Sequence, residues 1–323
     1  MPQNSKKGRN NFMQGLELSK QFFERFGKPM LETEFADILP QLAVGLCGSG
    51  SECFGYDDEV SRDHDFEAGF CIFVPEALER KREFQLERAY AKLPNEFMGV
   101  KKSLFSPVGG NRHGVIHTAT FFKDRTGTTD GKLSLLDWFT LPENALLEAT
   151  NGALFLDNLG EVTAIRERLS AMPEDVRLKK LASHLLLMAQ SGQYNYGRCI
   201  QRGETGGAAL AADAFVQSAL QVIFLLNRQF MPYYKWTFRA LSDLPKLQTL
   251  SAPLEFLISS DNLPQNAALK VELIEDIASA IIDELHRQDI TKAICQNLET
   301  HAYSVNDHVA DGALRNEHIL YAV

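Results

Sequence analysis

The stretch "GLCGSGSECFGYDDEVSRDHDFEAGF", from Gly45 to Phe70, decides how the first half of this chain is interpreted. It overlaps an apolar run, Leu42 to Gly48, that has the length and composition of a buried strand ending in a turn. Glycines after a strand allow tight or positive-φ conformations and let the backbone approach a ligand closely. Serine hydroxyls and the backbone N–H groups of a following helix start would face an anion. The pattern predicts a phosphate-binding turn made of Gly48, Ser49, Gly50 and Ser51.

The acidic end of the same stretch indicates a metal site. A second strand is predicted from Asp65 to Pro75, with the acids beginning at Asp63. Side chains alternate along a strand, so Asp63, Asp65 and Glu67 would lie on one face and repel each other. A divalent cation removes that repulsion, and oxygen-only ligands favour Mg²⁺ or Mn²⁺ over zinc. The plainer interpretation is a solvated acidic turn, which is the usual meaning of an isolated D-x-D.

The totals exclude several classes of protein. The chain has 323 residues and a net charge of −9, which argues against broad binding to nucleic acid or to anionic membranes. No stretch approaches the ~20 apolar residues that span a bilayer, and no apolar core follows the basic N-terminus as in a secretory signal. The five cysteines form no CxxC pair, so reduced thiols in a cytoplasmic protein are expected.

The first half of the chain alternates helical and strand patterns. A helix is predicted from Asn11 to Phe26, stopped by Gly27 and Pro29. Further helices are expected at Leu31 to Ile38 and Pro75 to Leu93, and a third strand at His113 to Phe122.

Helical periodicity dominates from Leu133 onward, and no convincing strand is predicted there. The expected helices are Glu161 to Leu169, Glu174 to Ser191, Gly206 to Arg228, Tyr233 to Ser242, and Leu269 to His286. An α+β fold follows, with a small mixed-sheet domain over residues 1–160 and an α-helical bundle over residues 161–323.

The order of apolar strand, Gly-Ser, spacer and D-x-D opening a strand resembles the nucleotidyltransferase superfamily typified by DNA polymerase β. Gly50 and Ser51 match the Gly-Ser element best, because Gly55 falls where that superfamily often has another glycine. Asp63 and Asp65 match its metal-binding pair. The resemblance implies a nucleotidyltransferase-like N-terminal domain that uses Mg²⁺ (or Mn²⁺) and a nucleoside triphosphate.

A closer resemblance is carried by several segments between residues 48 and 241. Together they are similar to the bacterial family of domain of unknown function 4037, whose members are predicted nucleotidyltransferases with a helical C-terminal half. Relatives by fold include antibiotic-modifying nucleotidyltransferases that pair such a domain with a helical bundle. The segments are "GSGSECFGYDDEVSRDHDF", "LLDWFTLPENALLEATNGALFLDNLGE", "AQSGQYNYGR" and "FLLNRQFMPYYKWTFRAL".

One departure from the superfamily concerns a third carboxylate, which usually comes from a later, neighbouring strand. The predicted strand from His113 to Phe122 contains no acid. Glu67 would replace it from the first strand, Asp124 would reach back, or the metal site is incomplete. Glu67 is also the candidate general base. His117 is a further candidate ligand or base, although a lone strand histidine is more often a packed, hydrogen-bonded residue.

Other polar residues are candidates for holding the nucleotide. The glycine-rich turn "GGNRHG" would bring one arginine to phosphate, or is a plain hairpin turn. In the helical half, "SGQYNYGR" places an aromatic and a cationic residue, Tyr194 and Arg198, four positions apart, so they share a face if the segment is helical. "MPYYKWTFRAL" places two cations, Lys235 and Arg239, at the same spacing. Arginine would bind phosphate and tyrosine would stack on a base, whereas the alternative is a junction packed between helices. These candidates are Arg112, Tyr194, Asn195, Arg198 and Lys235.

The resulting expectation is an enzyme that moves a nucleoside monophosphate from the triphosphate to an unidentified small-molecule acceptor. The nucleotide would bind between the two halves of the chain. The missing third carboxylate leaves open a non-catalytic nucleotide-binding or sensor protein. A nucleotidyltransferase of the toxin–antitoxin type is a further alternative.

Overall fold

The computed structural model describes residues 13–62, 67–101 and 112–323, without the side chain of Arg62. In these residues the strands are β1 (Ala43–Leu46), β2 (Cys71–Val74), β3 (Glu96–Phe97), β4 (Val100–Lys101), β5 (Gly114–His117) and β6 (Ala153–Asp157). The α-helices are α1 (Gly15–Phe22), α2 (Lys28–Glu34), α3 (Ser51–Phe54), α4 (Arg80–Ala91), α5 (Thr118–Thr126), α6 (Leu135–Thr140), α7 (Glu143–Thr150), α8 (Glu161–Ser170), α9 (Glu174–Met188), α10 (Gly197–Gln201), α11 (Thr205–Leu226), α12 (Tyr234–Asp243), α13 (Ser251–Ser259), α14 (Pro264–Arg287), α15 (Leu298–Asn306) and α16 (Gly312–Asn316).

The chain forms two compact units. The first contains the described residues up to Leu133 together with Ala145–Ala171, and the second contains Ser134–Asn144 and Met172–Val323. The first unit holds the sheet, and the second is helical. Helix α8 lies in the sheet-containing unit, although the sequence places residues from 161 onward in the helical domain.

A four-stranded mixed sheet organises the first unit, in the order β5-β2-β1-β6. Strand β1 runs antiparallel to both β2 and β6, whereas β2 and β5 are parallel. The expected small mixed sheet is confirmed, but the sequence predicts no strand at β6. A Cβ on Gly45 would stand 2.5 Å from the carbonyl oxygen of Ala153, so glycine lets β1 and β6 approach.

The N-terminal helical segment is longer than predicted. Helical structure continues from α1 through a π-helical turn at Phe23–Gly27 into α2, so the predicted stop at Gly27 and Pro29 is wrong. Pro29 lies in the first turn of α2. Proline is tolerated there because its fixed φ suits a helix start, and a preceding π turn already interrupts the α-helical hydrogen-bond pattern. A Cβ on Gly27 would lie 2.4 Å from the ring of Phe70, so this turn packs directly against the residue that precedes β2.

Only the first half of the predicted strand from His113 to Phe122 forms a strand. Strand β5 ends at His117, and the remaining residues form the start of α5. The ring of Phe121 packs edge-on against Phe73 of β2, with centroids 5.1 Å apart. The preference of β-branched and aromatic residues for strands is therefore overridden by tertiary packing, which buries the same aromatic rings from a helix.

The helices predicted after residue 160 are confirmed as α8, α9, α11, α12 and α14, with ends shifted by a few residues. Helix α9 continues beyond its predicted region as a π-helical segment, Ala189–Tyr196. A Cβ on Gly192 would lie 2.3 Å from the ring of Phe215, so the segment packs closely on α11. Among the described residues, α11 alone is long and apolar enough to cross a membrane; 61% of its apolar window is buried, as in a core helix.

The C-terminal segment is attached to α9 within the second unit. Lys179 is fully buried, and its ammonium group donates to Asn306 Oδ1 at 2.9 Å and to the carbonyl oxygen of Glu317 at 2.7 Å. One turn later, the Ser183 hydroxyl donates to the carbonyl oxygen of Ile319. The C-terminal segment therefore packs on the helical bundle.

Candidate functional site

The Gly-Ser turn lies directly at the end of β1. Gly48 has a φ of +125°, which favours glycine because a Cβ is strained there. Gly50 is the N-cap of α3 with an ordinary φ of −71°, and Gly55 ends this short helix in the left-handed conformation. The predicted order of strand, turn and helix start is therefore confirmed. Phosphate binding by Gly48, Ser49, Gly50 and Ser51 stays a prediction.

The shape of this turn is set by residues about a hundred positions later in the chain. The Oδ1 atom of Asn151 accepts from the N–H of Gly48 at 2.9 Å, and its Nδ2 donates to the Gly48 carbonyl oxygen at 2.7 Å. Arg166 donates in turn to the carbonyl oxygen of Asn151 at 2.6 Å. A Cβ on Gly152 would lie 1.9 Å from the carbonyl oxygen of Leu46, so the two backbones touch. The turn is thereby fixed on one side by the start of β6.

Arg125 brings a guanidinium group to the same turn. Its Nη2 lies 3.2 Å from the position that a Cβ on Gly48 would occupy. Its Nη1 donates to the carbonyl oxygen of Phe121 at 2.9 Å, and its Cζ lies 3.9 Å from the centroid of the Phe121 ring. The sequence did not identify Arg125, because "TATFF" is predicted as strand and "KDRTG" as loop.

Burial and arginine side chains shift the pKa values of two titratable groups in the first unit, Glu148 and Cys47. Burial raises the pKa of Glu148, on α7, while Arg125 and then Arg112 lower it. Burial also raises the pKa of the Cys47 thiol, which Arg166 and Arg125 partly oppose. Two arginines, Arg166 and Arg125, therefore place positive charge near Cys47, directly after β1. Arg112 remains a predicted phosphate ligand, and its effect on Glu148 places it in the same electrostatic environment.

Glu67 lies before β2 instead of within it. Because β2 begins at Cys71, the predicted strand is wrong for the described residues from 67 to 70, and alternation does not set the direction of Glu67. Its Oε1 lies 2.8 Å from Nδ1 of His113, and both side chains are largely buried. A Cβ on Gly69 would meet the His113 ring at 2.7 Å, so glycine permits this pairing. The orientation of the Glu67 carboxylate is fixed by a histidine.

The other candidates for the third carboxylate position have different surroundings. His117 lies with Nε2 2.7 Å from Oε1 of Glu83 on α4, so its imidazole is held by an acid of the neighbouring helix. Asp124 is exposed on α5. Neither arrangement indicates a metal ligand.

Asp63 and Asp65, the predicted catalytic acids and metal ligands, lie outside the described residues. In the part of the chain that the structure describes, no three histidine, cysteine, aspartate or glutamate side chains come together as a metal site. Carboxylate oxygens are the donors that Mg²⁺ prefers, so the chemistry of this pair fits the predicted ion. The Mg²⁺ (or Mn²⁺) site stays a prediction.

In the second unit, the predicted pairing of Tyr194 and Arg198 is present. The Cζ of Arg198 lies 4.3 Å from the centroid of the Tyr194 ring, and both side chains are exposed. Asn195 is partly exposed. Gln193, in contrast, donates to Glu275 at 2.8 Å and belongs to an internal junction. The interpretation as a junction between helices therefore applies to Gln193, and the assignment of Tyr194, Asn195 and Arg198 to nucleotide binding stays a prediction.

Lys235 and Arg239 share a face of α12, as their spacing predicts. Lys235 Nζ and Arg239 Cζ lie 4.9 Å and 5.2 Å from the centroid of the Trp236 ring. Both cationic side chains are exposed. The assignment of Lys235 to phosphate binding stays a prediction.

Comparison with known families gives one match, which covers the third of the quoted segments and most of the second and fourth. Residues 138–237 match the model of the family described as Domain of unknown function (DUF4037). The match covers about a third of the chain, and it supports the resemblance to that family. It includes Asn151 and Arg166, which hold the Gly48 turn. No curated protein matches the chain.

Proposed function

We propose that this protein is a Mg²⁺-dependent nucleotidyltransferase, which transfers a nucleoside monophosphate from a nucleoside triphosphate to a small-molecule acceptor. The observation that carries the proposal is the turn at Gly48. Its backbone is fixed by both hydrogen bonds of the Asn151 amide, and the guanidinium of Arg125 lies beside it. A rigid, glycine-containing turn next to a cation suits the phosphates of a nucleotide.

The residues have separate roles in this proposal. Ser51 and the neighbouring backbone N–H groups hold the β- and γ-phosphates. Asp63 and Asp65 hold the metal ion, which when bound neutralises charge on the phosphate oxygens. Glu67 is the general base, and its hydrogen bond to His113 orients the carboxylate that receives the proton.

The transfer itself is a displacement at the α-phosphorus. A bond forms between the acceptor oxygen and the α-phosphorus, while the bond from that phosphorus to the bridging oxygen breaks. Pyrophosphate leaves with the bridging oxygen, and the acceptor proton passes to Glu67. The protein mainly contributes position and charge, since phosphoryl chemistry requires little covalent participation from side chains.

A label-transfer assay tests the proposal. The protein is incubated with Mg²⁺, the four α-³²P-labelled nucleoside triphosphates and fractionated small molecules from cell extract. Wild-type protein is expected to release pyrophosphate and to label an acceptor, and Asp63→Asn is expected to lower the rate by at least about a hundredfold. Asp213→Asn, at an exposed acid on α11, is the matched control and should keep the wild-type rate. Absence of labelling by wild-type protein with every fraction contradicts the proposal.

A second candidate is a protein that binds the nucleotide without transferring it. The observation that favours this candidate is the Glu67–His113 hydrogen bond, because it engages the carboxylate that would otherwise complete a set of three. This candidate predicts thermal stabilisation by nucleoside triphosphate and Mg²⁺ without pyrophosphate release, and loss of that stabilisation in Ser51→Leu. Pyrophosphate release by the wild-type protein excludes it.

A further inference from the structure

Arg125 is a partly buried cation that its own helix holds in place. Its guanidinium stacks on the ring of Phe121, and Nη1 donates to the carbonyl oxygen of the same residue. Both contacts are with Phe121, one helical turn earlier on α5. They fix the direction of the side chain and leave the Nη2 and Nε donors unused. A guanidinium has five N–H donors in a rigid fork that suits phosphate.

The remaining donors of Arg125 have no protein acceptor in the described structure. Its Nε atom is buried and makes no hydrogen bond, and no carboxylate of the described residues lies within ion-pair distance of the guanidinium. Partly buried guanidinium groups are ordinarily paired, because a desolvated cation with unused donors is unfavourable. An anionic ligand with several oxygens would accept hydrogen bonds from Nη2, for which the described residues offer no acceptor.

The side chain is directed at a particular place. Its Nη2 approaches to 3.2 Å from the point where a Gly48 Cβ would stand, so the absence of that Cβ leaves the guanidinium next to the turn. Arg125 also lowers the pKa of the Glu148 carboxyl group, against the effect of burial. Gly48 itself is immobilised by Asn151. The guanidinium of Arg125 therefore lies beside the Gly48 turn, whose backbone is held by Asn151.

We propose that Arg125 binds the terminal phosphate of a polyphosphate chain whose other phosphates contact the Gly48–Ser51 turn. The proposal rests on the same turn as the proposed function, and it adds a phosphate-binding residue, Arg125, that the sequence did not identify. The chemistry is that of two or three linked phosphates, which a nucleoside triphosphate and inorganic triphosphate share. Charge-assisted bidentate hydrogen bonds from arginine make the terminal group a principal source of affinity.

Isothermal titration of the full chain with Mg²⁺ tests this assignment, with ATP and inorganic triphosphate as separate probes. Wild-type protein is expected to bind both, and Arg125→Gln is expected to weaken both at least tenfold. Lys123→Gln, at an exposed cation on the same helix, is the matched control and should bind as wild type does. Because Arg125 also packs on Phe121, Arg125→Lys is measured beside it; this variant keeps the charge and the aliphatic stem but loses the fork, and intermediate affinity is expected.

The outcomes separate this assignment from the proposed function. Binding of inorganic triphosphate that depends on Arg125, without any label transfer from nucleotides, retains the phosphate site and rejects the transferase. Label transfer by Arg125→Gln at the wild-type rate and nucleotide affinity rejects the role of Arg125 and retains the transferase. Failure of the wild-type protein to bind either probe also overturns the role of Arg125.

Discussion

The side-chain amide of Asn151 makes both of its hydrogen bonds to the backbone of Gly48, donating to the carbonyl oxygen at 2.7 Å and accepting from the N–H at 2.9 Å. Removing this amide leaves both backbone groups without their partner. We expect Asn151→Ala to lower the free energy of unfolding by about 2–3 kcal/mol. The control is Asn158→Ala, at an exposed asparagine with a single side-chain bond to Leu39, which we expect to change it by about 1 kcal/mol or less. Urea denaturation measures both, and equal losses would contradict the role given to Asn151.

Two glycines with the same backbone conformation allow the stability cost of a steric clash to be distinguished from that of backbone strain. Gly152 and Gly160 have nearly the same positive φ, +68° and +67°. A Cβ on Gly152 would meet the Leu46 carbonyl oxygen at 1.9 Å, whereas a Cβ on Gly160 has nothing within 4 Å. We expect Gly160→Ala to lose about 1–2 kcal/mol from left-handed strain alone, and Gly152→Ala to lose at least about 3 kcal/mol. Similar denaturation midpoints for the two variants would show that β6 can move away from Leu46.

Acid is expected to destabilise the second unit through His184. Burial, with Lys180 adding to it, lowers the pKa of His184 to about 4 from an ordinary value of 6.5. As the pH falls below 6.5, the His184 imidazole becomes protonated in the unfolded chain. In the folded protein it stays neutral until the pH approaches about 4. Stability is therefore complete above pH 6.5, and up to about 3 kcal/mol is lost as the pH falls through this interval.

The measurement for His184 is the free energy of unfolding at pH 7 and pH 4.5. His184→Gln should flatten the decline between these values, whereas His318→Gln, at an exposed histidine, should leave it as in wild-type protein. An unchanged decline in His184→Gln would place its origin elsewhere.

The attachment of the C-terminal segment is expected to depend on Lys179. Replacing it by methionine keeps the buried stem but leaves the Asn306 side chain and the Glu317 carbonyl oxygen without their donor. We expect Lys179→Met to lower stability by about 2–4 kcal/mol and to speed proteolysis after α15. Lys292→Met, at an exposed lysine of the same unit, serves as the control. Cleavage of both variants at the wild-type rate would mean that other contacts hold the segment.

The parts of the fold that could be predicted are those determined by local sequence. The apolar run before Gly48 predicts β1, and the glycines that follow it predict the turn. Strand β6 and helix α5 could not be predicted in this way. The residues of β6 are extended because they pair with β1, and Phe121 is helical because its ring packs on Phe73.

In the candidate site, too, local sequence predicts some features and distant residues determine others. Gly48 was identified from its neighbours in sequence, whereas Asn151 acts on it from 103 positions away. The Asn-Gly pair at residues 151 and 152 is a recognisable turn signal, but nothing local indicates which backbone the amide will bind. Arg125 was missed because its helix was not predicted. Glu67 was identified, but its partner His113 came from a segment predicted as strand.

The segment matched by the family model is not a unit of structure, and this has a practical consequence. Residues 138–237 begin in the second unit, pass through the first between Ala145 and Ala171, and then return to the second. A fragment cut at the ends of the match would keep β6 but lose β1, so that the strand would expose unpaired backbone groups. Such an edge favours aggregation. A protein expressed within those limits is expected to misassemble, so the properties of the matched segment have to be measured in a protein that includes β1.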